Sequence, residues 1–104
     1  MILVGRDALL ALVARERRLR GAKGATLARR IAALETIIAG ARWRSPADLR
    51  AVLGSADFVG DRVVLDVCGN SYRVVLRIDY RLQVADVRFA GDHAEYDRID
   101  VRKA

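Results

Sequence analysis

Several protein classes are excluded by what this sequence lacks. Cys68 is the one cysteine, so no internal disulfide framework forms, and with the one histidine, His93, it cannot build a structural zinc site. No metal and no cofactor is expected. Long hydrophobic runs are missing too. The longest, Ala8 to Ala14, covers seven residues, against about 18–20 for a bilayer-crossing helix. Arg6-Asp7 precede that run, Arg15-Glu16-Arg17-Arg18 follow it, and no small-residue cleavage pattern accompanies it, so it does not read as a signal peptide. The expected compartment is the cytoplasm, with no membrane partner. Lysine is nearly absent: Lys23 and Lys103 are two of nineteen basic residues, and arginine supplies the other seventeen.

What is present is a single-domain length, 104 residues, enough to bury roughly 60–70% of the unfolded-chain surface. The net charge of +6 is unevenly placed. Residues 1–50 carry eleven basic and four acidic groups, net +7; residues 51–104 carry eight and nine, net −1. A guanidinium fork matches phosphate bidentately, so the arginine excess nominates nucleic acid as a partner. Coding bias fits it equally, since alanine also occurs seventeen times.

The pattern predicts a helical front (1–54) and a sheet behind it (55–104), closed by a short helix or turn. Leu9, Leu12, Val13 and Glu16-Leu19 mark a helix over Arg6–Arg20, stopped by Gly21. Gly21-Ala22-Lys23-Gly24 reads as a flexible link, Thr26 as the next N-cap, and Leu27, Ile31, Leu34 and Ile38 as the buried stripe of a helix reaching Gly40. Ser45-Pro46-Ala47-Asp48 announces a third helix: a serine cap, proline at the first position and a carboxylate at the third. It runs to about Val52.

From Asp57 the period changes to two. Strands are expected over Arg62–Cys68, Ser71–Asp79 and Val84–Phe89, with tight turns at Gly69-Asn70 and Tyr80-Arg81. Cys68 then reads as a small core residue, and Asn70 as a turn residue with positive φ. Tyr72, Val74, Leu76 and Ile78 share one face; Arg73, Val75, Arg77 and Asp79 share the other. Val87 and Phe89 are placed opposite Asp86 and Arg88. The fold class is α+β, a small antiparallel sheet of three to four strands covered on one face by the N-terminal helices.

Chemistry is sought on the uncovered face. Arg73, Arg77 and Arg88 there could cradle a phosphate, or stand as an ordinary solvated face paired with Asp66, Asp79 and Asp86. His93 and Tyr96 sit one helical turn apart beyond the last strand. Histidine suits general acid–base work, worth about 10²–10⁴-fold; a capping or hydrogen-bonded surface histidine is the alternative. The helix arginines Arg17, Arg18, Arg20, Arg29 and Arg30 could hold phosphate backbone without sequence preference, or simply solvate the helices.

Three segments together carry a resemblance: Ala41-Arg42-Trp43-Arg44-Ser45-Pro46-Ala47-Asp48-Leu49, Gly69-Asn70-Ser71-Tyr72-Arg73, and Val87-Arg88-Phe89-Ala90-Gly91-Asp92-His93-Ala94-Glu95-Tyr96-Asp97-Arg98-Ile99-Asp100. Over about residues 41–100 the chain resembles the HigB toxins of bacterial type II toxin–antitoxin modules, in the RelE-like superfamily. The resemblance implies a RelE-like fold and an mRNA interferase, an endoribonuclease acting on translating ribosomes and silenced by a cognate HigA-type antitoxin with a helix-turn-helix domain. It implies catalytic roles for Arg73, Arg88, His93 and Tyr96, with Asn70 in the hairpin motif; Arg77, on the polar face of the strand that carries Arg73, is expected among the RNA-binding residues. The first forty residues lack the aromatic helices of the family, and Asp92 stands where the motif has threonine; an aspartate beside His93 could hold the proton on the imidazole or compete for it. The expected reaction needs no metal, because RNA supplies its own 2′-hydroxyl nucleophile. The competing expectation is a non-catalytic RNA- or protein-binding module; a DNA-binding regulator ranks below both, since no recognition helix rich in Asn, Gln and Ser follows the helix pair.

Overall fold

A computed structural model describes residues 1–104. The elements run β1 (Ile2–Val4), α1 (Asp7–Arg20), α2 (Ala22–Gly40), α3 (Pro46–Val52), β2 (Asp57–Val59), β3 (Arg62–Val67), β4 (Tyr72–Asp79), β5 (Val84–Asp92), the one-turn α4 (His93–Tyr96) and a 3₁₀ turn at Val101–Lys103. No helix is long and apolar enough to cross a membrane.

α1 and α2 form the expected hairpin, but their junction is tighter than a flexible link. Gly21 alone, at φ +45°, turns the chain, and Ala22 already opens α2. Gly24 lies inside that helix because the two helices touch there: a Cβ would fall 2.3 Å from the Glu16 carbonyl oxygen and 2.5 Å from Arg17 Cα. Thr26 is therefore not a cap; its hydroxyl donates to the Ala22 carbonyl at 3.1 Å within the helix. The α2 stripe is buried as predicted, Leu27, Ile31, Leu34 and Ile38 all facing the core. On α1, Leu9 and Leu12 are buried, yet the next position of the stripe is Glu16, 2% exposed, while Leu19 is 62% exposed. α3 starts as read: the Ser45 hydroxyl accepts from the Asp48 amide at 3.2 Å. Asp48 in turn accepts from the Arg44 amide, 2.9 Å.

The sheet has five strands in the order β1-β5-β4-β3-β2 and is mixed, not purely antiparallel. The two strands not named from the pattern lie at its edges: β2, antiparallel to β3 with Phe58 opposite Val63, and β1, which pairs parallel to β5 from within the helical front, Leu3 opposite Ala85. Three residues are too few to display a period. The core lies between the helices and the inward face of the sheet, where Val63, Leu65, Val67, Tyr72, Val74, Leu76 and Val87 meet them; each fully buried aliphatic side chain there contributes about 1.5–3 kcal/mol.

Two local expectations are corrected. In the β3–β4 hairpin the left-handed residues are Cys68 (φ +56°) and Gly69 (φ +67°), one position earlier than the Gly69-Asn70 reading, and Asn70 has no positive φ. Cys68 accordingly sits half-buried in the turn, packed against the core and not in it. In β5 the register shifts: Val87 pairs with Leu76 but Phe89 with Val75, leaving Arg88 as the extra residue. A one-residue insertion flips the pleat, so Phe89 joins the outer face with Asp86 instead of sharing Val87's side.

That outer face is not open. Val64, Val75 and Arg62 are buried on it. The segment after β5 folds back across it. Arg62 donates to the main-chain oxygen of Ala104 from Nε at 3.0 Å and Nη2 at 2.6 Å, and Arg88 Nε reaches the same oxygen at 3.2 Å.

Candidate active site

β5 delivers the chain into α4 through a capping box. The Asp92 carboxylate accepts from the Glu95 amide at 2.8 Å, and Glu95 Oε1 accepts from the Asp92 amide at 3.1 Å, satisfying the free donors of the helix start. This explains aspartate at the position before the histidine. It caps the turn, while the carboxylate on His93 is Asp97, whose Oδ2 lies 3.0 Å from His93 Nδ1. The His93 amide donates to the Ser71 carbonyl at 3.1 Å, fastening α4 to the β3–β4 hairpin. Gly91 leaves room beneath it for Phe89, since a Cβ there would meet Phe89 Cζ at 2.6 Å and displace the ring.

Phe89, turned outward by the bulge, stands against Tyr96 with ring centroids 6.2 Å apart and planes tilted by 57°. Arg73, outward on β4, places its guanidinium 5.6 Å from the centroid of Tyr96. Its Nε pairs with Asp66 at 3.0 Å and its Nη1 donates to the Asn70 carbonyl at 3.2 Å; the side chain is 15% exposed. Asn70 thus contributes through its backbone. The half-exposed His93 leaves the same helical turn as Tyr96. Arg73, His93 and Tyr96 are therefore gathered at one end of the sheet, with Asp66 as the expected cross-strand partner of Arg73 and with Phe89 and Asp97 as supports that sequence reasoning missed.

The other arginines are engaged elsewhere. Arg88 pairs with Asp86 at 2.9 Å besides the Ala104 oxygen, and Arg77 pairs with Asp61 at 3.3 Å. Arg62 also bonds Asp61. Among the helix arginines, Arg20 is drawn to Glu16 at 3.0 Å and Arg29 to the Thr26 hydroxyl at 3.2 Å. Arg17, Arg18 and Arg30 are solvent-facing. Lys23 lies 5.7 Å over the ring of Tyr72.

Behind α4 runs a charged network that motif reading did not find. The Tyr72 hydroxyl donates to Glu16 Oε1 at 2.6 Å, and Arg15 bridges Glu16 (3.2 Å) to Glu95 (3.1 and 2.5 Å). Burial pushes hardest against the charge of Glu16, but donation from Tyr72 and Arg15 together with nearby Arg20 prevails, holding its carboxyl below the ordinary range. Burial, then the Glu16 carboxylate, pushes the Tyr72 phenol up to about 12. Hydrogen bonding from Arg15 takes Glu95 down to about 2 against its partial burial, and Glu95 in return keeps the Arg15 guanidinium charged. Two sequence signals could have exposed the network: the 9-12-16 spacing, which puts Glu16 on the apolar stripe, and Asp92-x-x-Glu95, a capping-box spacing. No His, Cys, Asp and Glu side chains cluster in a way that could hold a metal ion.

A helical hairpin on one face of a five-stranded mixed sheet makes an α+β domain compatible with a RelE-like fold. A model of the HigB_toxin family, the RelE-like toxic component of a toxin–antitoxin system, matches residues 28–99, and the chain belongs to that family. The match begins within α2 and leaves β1 and α1 outside. No curated protein matches the chain. Membership implies an antitoxin partner.

Proposed function

We propose that the chain is an mRNA interferase, an endoribonuclease that cuts mRNA on translating ribosomes until a cognate antitoxin silences it. The observation that carries this reading is the approach of Arg73 to Tyr96 beside a histidine held by Asp97. With Nδ1–H donated to Asp97, His93 presents the lone pair of Nε2 and takes the proton of the RNA 2′-hydroxyl. O2′ attacks the adjacent phosphorus in line, the P–O5′ bond breaks, and Tyr96 gives its proton to the departing O5′. The products carry a 2′,3′-cyclic phosphate and a 5′-hydroxyl. Arg73 neutralises the charge growing on the phosphoryl oxygens, the largest single contribution in reactions of this type. Both arginines are held by carboxylates, Arg73 by Asp66 and Arg88 by Asp86, and Arg73 carries the greater share because it lies against Tyr96.

The solvent-facing Arg17 and Arg30, with Arg29, Arg20 and Arg77 behind their internal contacts, would hold ribosomal or messenger backbone. The same surface suits a partly acidic segment of a HigA-type antitoxin with a helix-turn-helix domain.

The test is cleavage itself. Expression without antitoxin is expected to arrest growth, and primer extension with and without ribosomes to map cuts in mRNA. A 2′-deoxy nucleotide at the cut site should abolish cleavage. His93→Ala and Arg73→Ala should each relieve the arrest while remaining folded. Two such variants as toxic as the parent would overturn the assignment, and RNA bound but never cut would favour a non-catalytic binding module.

A further inference from the structure

α4 is a single turn with no buried residue, so its length does not fix its rotation about its own axis, and its contacts on the sheet side are those of Tyr96 with Phe89 and Arg73. Its backbone is pinned at the start by the capping box and the Ser71 carbonyl. What reaches it from the helical layer is Arg15. The guanidinium is forked on Glu95, Nη1 to Oε2 at 3.1 Å and Nη2 to Oε1 at 2.5 Å, with Asp92 Oδ2 at 3.9 Å. Its remaining nitrogen, Nε, donates to Glu16 at 3.2 Å. Glu16 is enclosed and is itself held by Tyr72 of β4 and Arg20. All three Arg15 nitrogens face carboxylates, so a phosphate approaching this side chain meets one already neutralised. Glu95 lies between His93 and Tyr96 in the same turn.

We propose that Arg15 is a positioning residue for cleavage: by clamping Glu95 it sets the rotation of α4 and so aims His93 and Tyr96 at the phosphate, which makes α1 part of the catalytic apparatus. The proposal rests on the reading of α4 as the cleavage site. It also extends the working site beyond residues 28–99, the segment the family has in common with this chain. A bidentate Arg–carboxylate pair fixes geometry in a way a single point charge does not, and small misplacements of reacting groups are costly to rate.

Kinetics of Arg15→Ala, Glu95→Gln and the double variant test it. Glu95→Gln keeps a capping side chain and is the informative variant if Arg15→Ala does not fold. Each single change is expected to lower kcat about ten- to a hundred-fold and leave KM within about twofold. The double variant should fall no further than the worse single one, because both remove the same ion pair. In the RNA-free protein, NMR signals of the His93 and Tyr96 rings should move in either variant while the methyls of Val74 and Leu76 stay in place. Unchanged kcat, additive losses, or a loss carried by KM with a weaker salt dependence would overturn the proposal, the last marking Arg15 as a phosphate ligand. If the parent cleaves no RNA, the functional reading fails by itself, and the RNA-free spectra decide the positioning role: rings that stay put end it.

Discussion

Tyr72 and Glu16 form the enclosed centre of the polar network, and each makes the other's burial tolerable. A carboxylate at 2% exposure keeps its charge because a phenol and two guanidinium groups donate to it. Their titration gives opposite pH limbs. Glu16 and Glu95 are held below the ordinary range, so the stability they add is present above about pH 4.3 and is lost as pH falls through their folded values, about 2 for Glu95. Tyr72 is raised to about 12, so its contribution is complete below about pH 10 and is lost as pH rises toward the folded value. Tyr72→Phe should shrink the alkaline limb, leaving the part due to the partly buried Tyr80 phenol, and lower stability at neutral pH by about 1–3 kcal/mol, since Glu16 loses a donor. Denaturant unfolding at stepped pH checks both, and an alkaline limb unaltered in Tyr72→Phe would refute the assignment. Asp97→Asn leaves a half-exposed pair without its charge; kcat should fall, but by less than the roughly 10²–10⁴-fold expected for His93→Ala, with unfolding midpoints unchanged in both. Arg73, His93 and Tyr96 were legible as residues because they sit in motif positions. Arg15 was not, since its partner Glu95 is eighty positions away in the chain.

At the level of elements, the helix and strand patterns were readable wherever the period persisted. Leu27, Ile31, Leu34 and Ile38 form the buried stripe of α2, and Ser45 with Pro46 opens α3. Errors fell where glycine was read as freedom. Gly24 is required by the close approach of α1 and α2, and because the atoms it meets are backbone, no rotamer change can relieve a clash. Gly24→Ala should therefore lower stability by about 1–3 kcal/mol or more, measured as a shift in the urea midpoint; an unchanged midpoint would show that the helices can part. The extra residue in β5 was equally hidden. Strict alternation puts Phe89 beside Val87, whereas the shift at Arg88 turns Phe89 outward to Tyr96. Periodicity records which residues are apolar and says nothing of where a pleat skips.

Across the whole molecule, the net +7 half is the helical layer, a sum that already includes Glu16 and Glu35, and Glu95 from the other half neutralises part of it at Arg15. The arginines left facing solvent should set the salt dependence of RNA binding. Arg17→Ala with Arg30→Ala should reduce the slope of log affinity against log salt by about 0.7 for each phosphate of single-stranded RNA that is no longer neutralised, without changing the cleavage products; a slope identical to the parent's would place RNA elsewhere. The sequence by itself determined the α+β class, the helical hairpin, the β3–β4 and β4–β5 hairpins, the family resemblance and the motif residues, because these depend on local period, turn chemistry and short-range spacing. Only the tertiary structure decided that β1 closes the sheet in parallel, that residues after β5 cover its outer face, and that Arg15 reaches Glu95. Those outcomes depend on side chains far apart in the chain meeting at hydrogen-bond distance, and composition and periodicity do not encode such distances.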